Sequence, residues 1–309
     1  MYMPGIWFIV LKAAKTTGSK CTLWHSYQTT NTVLKNIQIT KASGEITSFS
    51  LKKLRKSLRR AGATPALIND IVVDIQAEIY PGISTGEIYS RAFRMLQEHS
   101  SHLAARYKLK NAIMELGPSG YPFEQFVGAL LYDQKFDVQV GIILDGRCVR
   151  HEIDGLAVRG KEKILVECKY HNQSGFLCDV KIPLYVHARF QDVAAGMAAR
   201  GESPHTQGWI VTNTRFSDDA MRYGACAGLH LIGWDYPSKG SLKDLIDREK
   251  LYPLTCLTTL SEHEKKMLLE QNLVLCSDLL RRDDLLRRVH ISESRIPGIL
   301  DECRNLCGR

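Results

Sequence analysis

The spacing of apolar residues changes along the chain and divides it into segments. Residues 1–35 have little periodicity and a Thr/Ser/Asn-rich run, so they read as a poorly ordered extension. Ile37-Gln38-Ile39-Thr40-Lys41 alternates with period two, Ser43-Gly44 supplies a turn, and Ile46 to Phe49 returns, which predicts a β-hairpin. Leu51, Leu54, Leu58 and Ala61 recur at helical spacing until Gly62. Three more helices are predicted over 65–79, 84–98 and 101–115, the second opened by a Ser84/Glu87 capping box. Gly117-Pro118-Ser119-Gly120 then breaks the pattern.

Beyond this break strands and helices intermingle. A helix is predicted over 123–132 and strands over 136–140, 149–158 and 164–169. A helix over 184–199, a strand over 208–212, a helix over 217–224 and a strand over 229–234 follow. This order fits a mixed sheet flanked by helices. From residue 241 the pattern is helical, with segments at 261–271, 277–289 and 292–306 that suggest a small bundle. The chain therefore reads as a multidomain α+β and α/β protein. Its expected parts are an extension (1–35), a hairpin with helices (36–116), an α/β core (117–240) and C-terminal helices (241–309).

Composition narrows the class. With 309 residues, 44% hydrophobic and 24% charged, the chain is neither disordered nor a disulfide scaffold. Its formal charge of +8 is unevenly spread. Residues 36–110 carry twelve Lys and Arg against six acids, whereas residues 111–236 carry twelve against fifteen. The nine cysteines include no CxxC pair and read as reduced thiols of a cytoplasmic protein. The apolar run Ile6 to Leu11 falls well short of the roughly 20 residues that span a bilayer, so no membrane partner is expected. There is no GxxxxGK[ST] phosphate loop.

The chemistry concentrates in the middle segment. Side chains alternate along a strand, so Glu167 and Lys169 share one face of the third predicted strand. Strand pairing brings Asp154, in His151-Glu152-Ile153-Asp154-Gly155, beside Glu167. Two carboxylates there make a hard-oxygen site suited to Mg²⁺ or Mn²⁺. Such an ion neutralises phosphate and acidifies a bound water. Lys169 would orient or deprotonate the water, or hold the negative transition state.

Ile153-Asp154-Gly155 with Glu167-Cys168-Lys169, after a helix that bears Glu124, resembles the PD-(D/E)xK nucleases, and among them the Mrr-like restriction endonucleases. Tyr121 to Val127 is similar to that family's opening helix. Trp209 to Ser217 and Leu229 to Gly233 are similar to its final strands. The resemblance covers residues 120–236 and implies a metal-dependent DNA endonuclease in which Asp154 and Glu167 hold the metal, Lys169 assists and Glu124 joins the site. Gln191 is a further polar candidate, and His171 reads as a loop histidine.

The N-terminal segment resembles a different module. Ile39-x-Lys41-x-x-Gly44-Glu45, Phe49-x-x-x-Lys53-Leu54, Ile83-Ser84-Thr85-x-Glu87-Ile88-Tyr89 and Ala105-Arg106-Tyr107 are similar to the ATP-cone of ribonucleotide reductases and their repressor. Ala42 stands where that family often has a second basic residue. The resemblance implies ATP or dATP as an effector, contacted by Lys41, Lys53 and Thr85. The C-terminal helices are faintly similar to a helix-hairpin-helix bundle, but the stretch from Cys256 to Leu280 lacks the glycines of such a turn. Together these features point to a DNA endonuclease governed by a purine nucleotide and expected to form a homo-oligomer. The alternative is a nucleotide-responsive DNA-binding regulator with an inactive nuclease fold.

Overall fold

The computed structural model describes residues 37–41, 43–173, 175–202 and 206–308; the extension expected over 1–35 lies outside them. The hairpin is present as β1 (Gln38–Thr40) and β2 (Ile46–Ser48), antiparallel with Ile39 opposite Thr47. Helix α1 (Leu51–Arg60) is capped by the Ser50 hydroxyl, which accepts the Lys53 N–H. It buries only Leu54 and Leu58, so its six basic residues ring a narrow apolar stripe. Helices α2 (Pro65–Glu78), α3 (Thr85–His99) and α4 (Ser101–Met114) complete the segment. The Ser84/Glu87 capping box forms as the sequence predicts. Phe49, Leu58, Ile71, Val72 and Leu96 make up the centre of this core. The Thr40 N–H donates to the Ile83 carbonyl at 3.0 Å, which seats the hairpin against the start of α3.

The middle segment opens with α5 (Tyr121–Asp133) and continues through β3 (Asp137–Asp145), β4 (Arg150–Arg159) and β5 (Glu162–Lys169). A short β6 (Leu177–Cys178), helix α6 (Lys181–Ala199), β7 (Thr206–Thr212), β8 (Arg215–Phe216), α7 (Asp218–Cys226) and β9 (His230–Ile232) follow. The sheet order is β3-β4-β5-β7-β9. Strands β3, β4 and β5 are antiparallel neighbours; β5, β7 and β9 run parallel. This is the mixed sheet that the element order predicts.

One sheet face, with Ala157, Ile164, Val166, Cys168, Val211 and Ile232, packs under α5, where Phe123 and Phe126 are fully buried. Each such phenylalanine contributes roughly 1.5–3 kcal/mol by leaving water. The opposite face, with Leu165, Ile210 and Leu231, packs against Val186, Phe190 and Val193 of α6. Strand β3 is longer than the 136–140 expected, because Gly141 hides its second half from the period-two pattern. Before Gly141, Val138 and Val140 lie under α5, close to Gly128. After it, Ile142 and Leu144 join the α6 side. Gly141 has φ +64°, a conformation that side-chain-bearing residues rarely adopt, and there the strand inverts its faces.

The C-terminal helices are α8 (Leu242–Glu249), α9 (Glu262–Glu270), α10 (Cys276–Leu279), α11 (Asp284–Arg288) and α12 (Ile296–Cys307). The single helix expected over 277–289 is two short ones. Arg281 and Arg282 N–H groups close a turn on the Asp278 carbonyl, and Asp283-Asp284 restart the chain with acids at the new N-terminus. These helices share one continuous core with α5 and its sheet face. Among the described residues, Cys148, Cys168, Cys178, Cys226, Cys256, Cys276 and Cys303 are free thiols. Among the described residues no helix is long and apolar enough to cross a membrane.

Candidate active site

The β4–β5 ladder ends at Gly155 opposite Val166. One step further the strands part, and the Asp154 side chain fills the gap: its Oδ2 accepts the Cys168 N–H at 2.7 Å. A carboxylate thus replaces a backbone acceptor, which fixes Asp154 at the mouth of the split. The split falls beside the kink at Gly141, across the sheet from Asp154.

Glu167 is 2% exposed. The Lys169 Nζ lies 2.6 Å from its Oε1, and the Arg189 guanidinium donates to its Oε2 at 2.9 Å. Arg189 also reaches the Glu152 carbonyl and covers the Tyr185 ring. Burial opposes the charge on Lys169, yet the hydrogen bond and charge of Glu167 outweigh it and raise the ammonium above its ordinary range. Asp154 is pushed up to about 6 by burial and then by the Glu167 charge. Glu124, half-buried on the first turn of α5, is pushed up to about 7 by burial and by the charges of Asp154, Glu152 and Glu167. The structure therefore brings Asp154, Glu167, Lys169 and Glu124 into one electrostatic neighbourhood.

Among the described residues no three His, Cys, Asp or Glu side chains converge as a ready-made metal cage. The donor set is instead a carboxylate pair with a third alongside. Mg²⁺ binds through one or two carboxylates and keeps several waters, so hard oxygens of this kind suit it. The raised carboxyls have the same cause that favours a cation: negative charges crowded in a partly dry place, incompletely offset by Lys169 and Arg189.

Arg189 escaped the sequence reading, which named Gln191 on this helix as a further polar candidate. Gln191 is exposed. Residues three apart share a helix face and residues two apart do not, so Arg189 and Asp192 face the sheet while Gln191 turns away. Asp192 accepts the Cys148 N–H at 2.9 Å and holds the His151 ring at 2.8 Å, which pins the β3–β4 turn to α6. Those bonds, the His151 one foremost, hold the Asp192 carboxyl down at about 2. A Cβ on Gly146 would fall 2.1 Å from an Asp192 oxygen, so that turn needs its glycine.

Asn213 also went unnoticed. It is fully buried, accepts the His171 N–H at 2.9 Å and donates to the His171 carbonyl at 2.7 Å. The Thr212 hydroxyl donates to the Lys169 carbonyl at 2.7 Å. These two residues clamp the chain leaving Lys169 to the end of β7. Polar Thr212-Asn213-Thr214 closing a buried strand was the available signal.

The N-terminal candidates lie around the hairpin. Lys41 pairs with Glu45 at 2.8 Å, Lys53 is exposed on α1, and Thr85 occupies the first turn of α3, which the hairpin touches. Glu45 feels Lys41 first, and also Arg215 and Lys53, all of which lower its carboxyl. A Cβ on Gly175 would lie 3.9 Å from the Ser43 Cβ, so the hairpin tip sits against the loop that follows the Lys169 strand.

A family model described as a restriction endonuclease matches residues 117–235. A second, described as AF1548-like, C-terminal, matches residues 252–307. An uncharacterized protein of Archaeoglobus fulgidus is 33% identical over 180 residues, which is 58% of this chain and 98% of that protein. A solved structure, described as the crystal structure of a protein of unknown function, AF1548, is 33% identical with a TM-score of 0.51. That match covers 62% of this chain and 99% of the solved one. Both family matches lie beyond residue 116. They support a nuclease segment and leave the nucleotide-binding resemblance of residues 36–116 to physical argument.

Proposed function

We propose that the chain, which belongs to the AF1548-like family and matches a restriction-endonuclease model over residues 117–235, hydrolyses DNA phosphodiester bonds with a divalent metal ion. The carrying observation is the gathering of three carboxylates and Lys169 where β4 leaves β5. Asp154 and Glu167 would hold Mg²⁺ or Mn²⁺, with Glu124 supporting them. When bound, the ion supplies charge neutralisation at phosphate and a more acidic water.

The remaining work belongs to the chain itself. Lys169 is held charged by Glu167, so its role is electrostatic: it faces the negative charge that grows on the phosphorus oxygens. This favours charge stabilisation over deprotonation of water. Arg189 is a positioning residue that fixes the Glu167 oxygen Oε2, the one Lys169 does not hold. Thr212 and Asn213 hold the Lys169 end of the strand in place.

For the N-terminal module the proposal is a purine nucleotide, ATP or dATP, bound as an effector by Lys41, Lys53 and Thr85. What supports it is the seating of the hairpin that carries Lys41 on the start of α3, where Thr85 lies. The hairpin tip also meets the loop after Lys169, which offers a route of coupling if nucleotide prefers one arrangement of that contact. A second reading, an inactive DNA-binding regulator, is favoured by one observation: each Glu167 oxygen already has a cation on it.

The test is plasmid cleavage with Mg²⁺ or Mn²⁺, with and without ATP or dATP, for the wild type and Lys169→Ala. Metal-dependent cleavage lost in the variant supports the enzyme. DNA binding without cleavage in either metal leaves the regulator. Lys41→Ala with Lys53→Ala should weaken ATP binding in an equilibrium titration, and unchanged binding would remove the effector role.

A further inference from the structure

The nuclease segment carries more acids than bases, so a DNA polyanion needs local cations near the carboxylates. Such cations meet where the N-terminal module, the sheet and the C-terminal helices join. Arg215 opens β8, separated from the end of β7 by two residues. Thr212, three residues earlier, pairs with Lys169 in the sheet, so at most about 10 Å of chain separates Arg215 from that pair. The Thr214 carbonyl accepts the Trp234 N–H at 2.8 Å, and the Trp234 carbonyl accepts the Lys243 N–H at 3.4 Å. Two backbone hydrogen bonds therefore tie Lys243 to the neighbourhood of Arg215.

Lys110 reaches the same place from α4. One turn further along that helix, the Met114 carbonyl accepts the Tyr170 hydroxyl at 2.6 Å, and the Met114 sulfur receives the Asn213 amide. Lys56 arrives from α1. Arg60, one turn beyond it, is bound to Asp244 at 3.3 Å and Asp247 at 2.5 Å, which fixes α1 alongside α8 and Lys243. Four elements thus deliver four cations to one seam.

Their pairing sets them apart. Arg60 is neutralised by two aspartates. Among the described residues, Lys56, Lys110, Arg215 and Lys243 have no carboxylate within ion-pair distance; Lys56, Lys110 and Arg215 are exposed, and Lys243 is half-buried. The group is crowded enough to perturb itself. Lys110, exposed at the surface yet hemmed in by neighbouring atoms that strip part of its water, is lowered first by that desolvation and then by the charges of Arg215 and Lys243, with Asp235 offsetting part of this. Lys243 is lowered by burial and by Arg60 and Lys56, against Asp235 and Asp244. Unpaired cations that repel one another are poor for stability and suited to an anion that arrives from outside.

The seam also lies on the correct edge. Strands β5 and β7 are parallel and end at Lys169 and Thr212, and ligands of such sheets bind beyond the carboxyl ends of the strands. A single nucleotide is short for a set contributed by four elements, whereas a DNA strand presents regularly repeated phosphates. We propose that Lys56, Lys110, Arg215 and Lys243 form a phosphate track that carries duplex DNA from the carboxylate site onto the N-terminal module. The proposal rests on DNA being the substrate of that site.

The test is binding of the full chain to a labelled duplex by fluorescence anisotropy, in EDTA so that no cleavage occurs, across a salt series. Each phosphate contact contributes about 0.9 to the slope of log affinity against log salt. A Lys110→Gln, Arg215→Gln double variant should lower the slope by about 2 and weaken binding at least about tenfold, alike for unrelated sequences. The control is Arg200→Gln with Arg222→Gln, whose cations are already paired with Glu202 and Asp219; it should keep the wild-type slope. A wild type that binds and a double variant that keeps its slope would overturn the track alone. A wild type that binds no DNA would overturn the track together with the nuclease reading. Loss of ATP binding with DNA binding intact would make the seam a nucleotide site and end the proposal.

Discussion

Two glutamates of this molecule are each 2% exposed, and they are held by different kinds of partner. Glu302, on α12, accepts the N–H groups of Thr258 at 2.9 Å and Thr259 at 3.0 Å. It also accepts their hydroxyls at 2.7 and 2.6 Å. These are neutral donors, and they satisfy the turn that leads into α9. Glu167 is held by two cations instead, and Asp154 beside it is raised toward neutrality partly by its charge. Burial by itself therefore does not mark a reactive carboxylate. What separates Glu167 from Glu302 is its company: Asp154 and Glu124 lie in its field and are raised toward neutrality partly by its charge, whereas Glu302 meets only neutral donors.

The comparison can be broken from either side. The largest effect is expected at the carboxylate pair: Glu167→Gln should reduce metal-dependent cleavage per folded molecule by about 10²–10³-fold. A variant that cuts DNA normally would place Glu167 with the structural acids. Next comes Glu302→Ala, which strands four donors in the interior and should cost about 3 kcal/mol in urea unfolding. Cleavage per folded molecule should not change; a selective loss of activity would tie the C-terminal helices to the reaction.

The smallest effect concerns Glu264, an intermediate case held by Arg295 at 2.5 Å. Its carboxyl is lowered to about 2, by Arg295 first and by Ser261 besides. A folded-state value below the unfolded one means the stabilisation is complete above about 4.5 and is lost as pH falls through about 2. The gap in urea midpoint between wild type and Glu264→Gln should therefore close on acidification, and a gap independent of pH would contradict the assignment.

The strand pair that carries Asp154, Glu167 and Lys169 was legible because strand geometry has a fixed period of two. Two adjacent strands joined by a tight turn leave little freedom in which residues meet. The capping box at Ser84 and Glu87 was legible for a similar reason, since both partners lie within one turn. Residues farther apart were not. Arg189 reaches Glu167 across 22 positions, and nothing local distinguishes it from the other polar residues of α6. Asn213 reaches His171 across 42. The inversion at Gly141 could not be read either, because Val138, Val140, Ile142 and Leu144 keep one unbroken alternation along the chain while the face they occupy changes.

By itself the sequence determined the local elements: the hairpin, the helix starts, the alternation that aligns Glu167 with Lys169, and the separation of basic and acidic segments. Only the tertiary structure decided which cations face the carboxylates, that the C-terminal helices share a core with α5, and that Lys56, Lys110, Arg215 and Lys243 meet at one seam. The reason is range. Periodicity, caps and turns act over a few residues and leave their record in order along the chain. A packed interface joins side chains by distance in space, and charges brought together that way are neighbours only after the cores have closed.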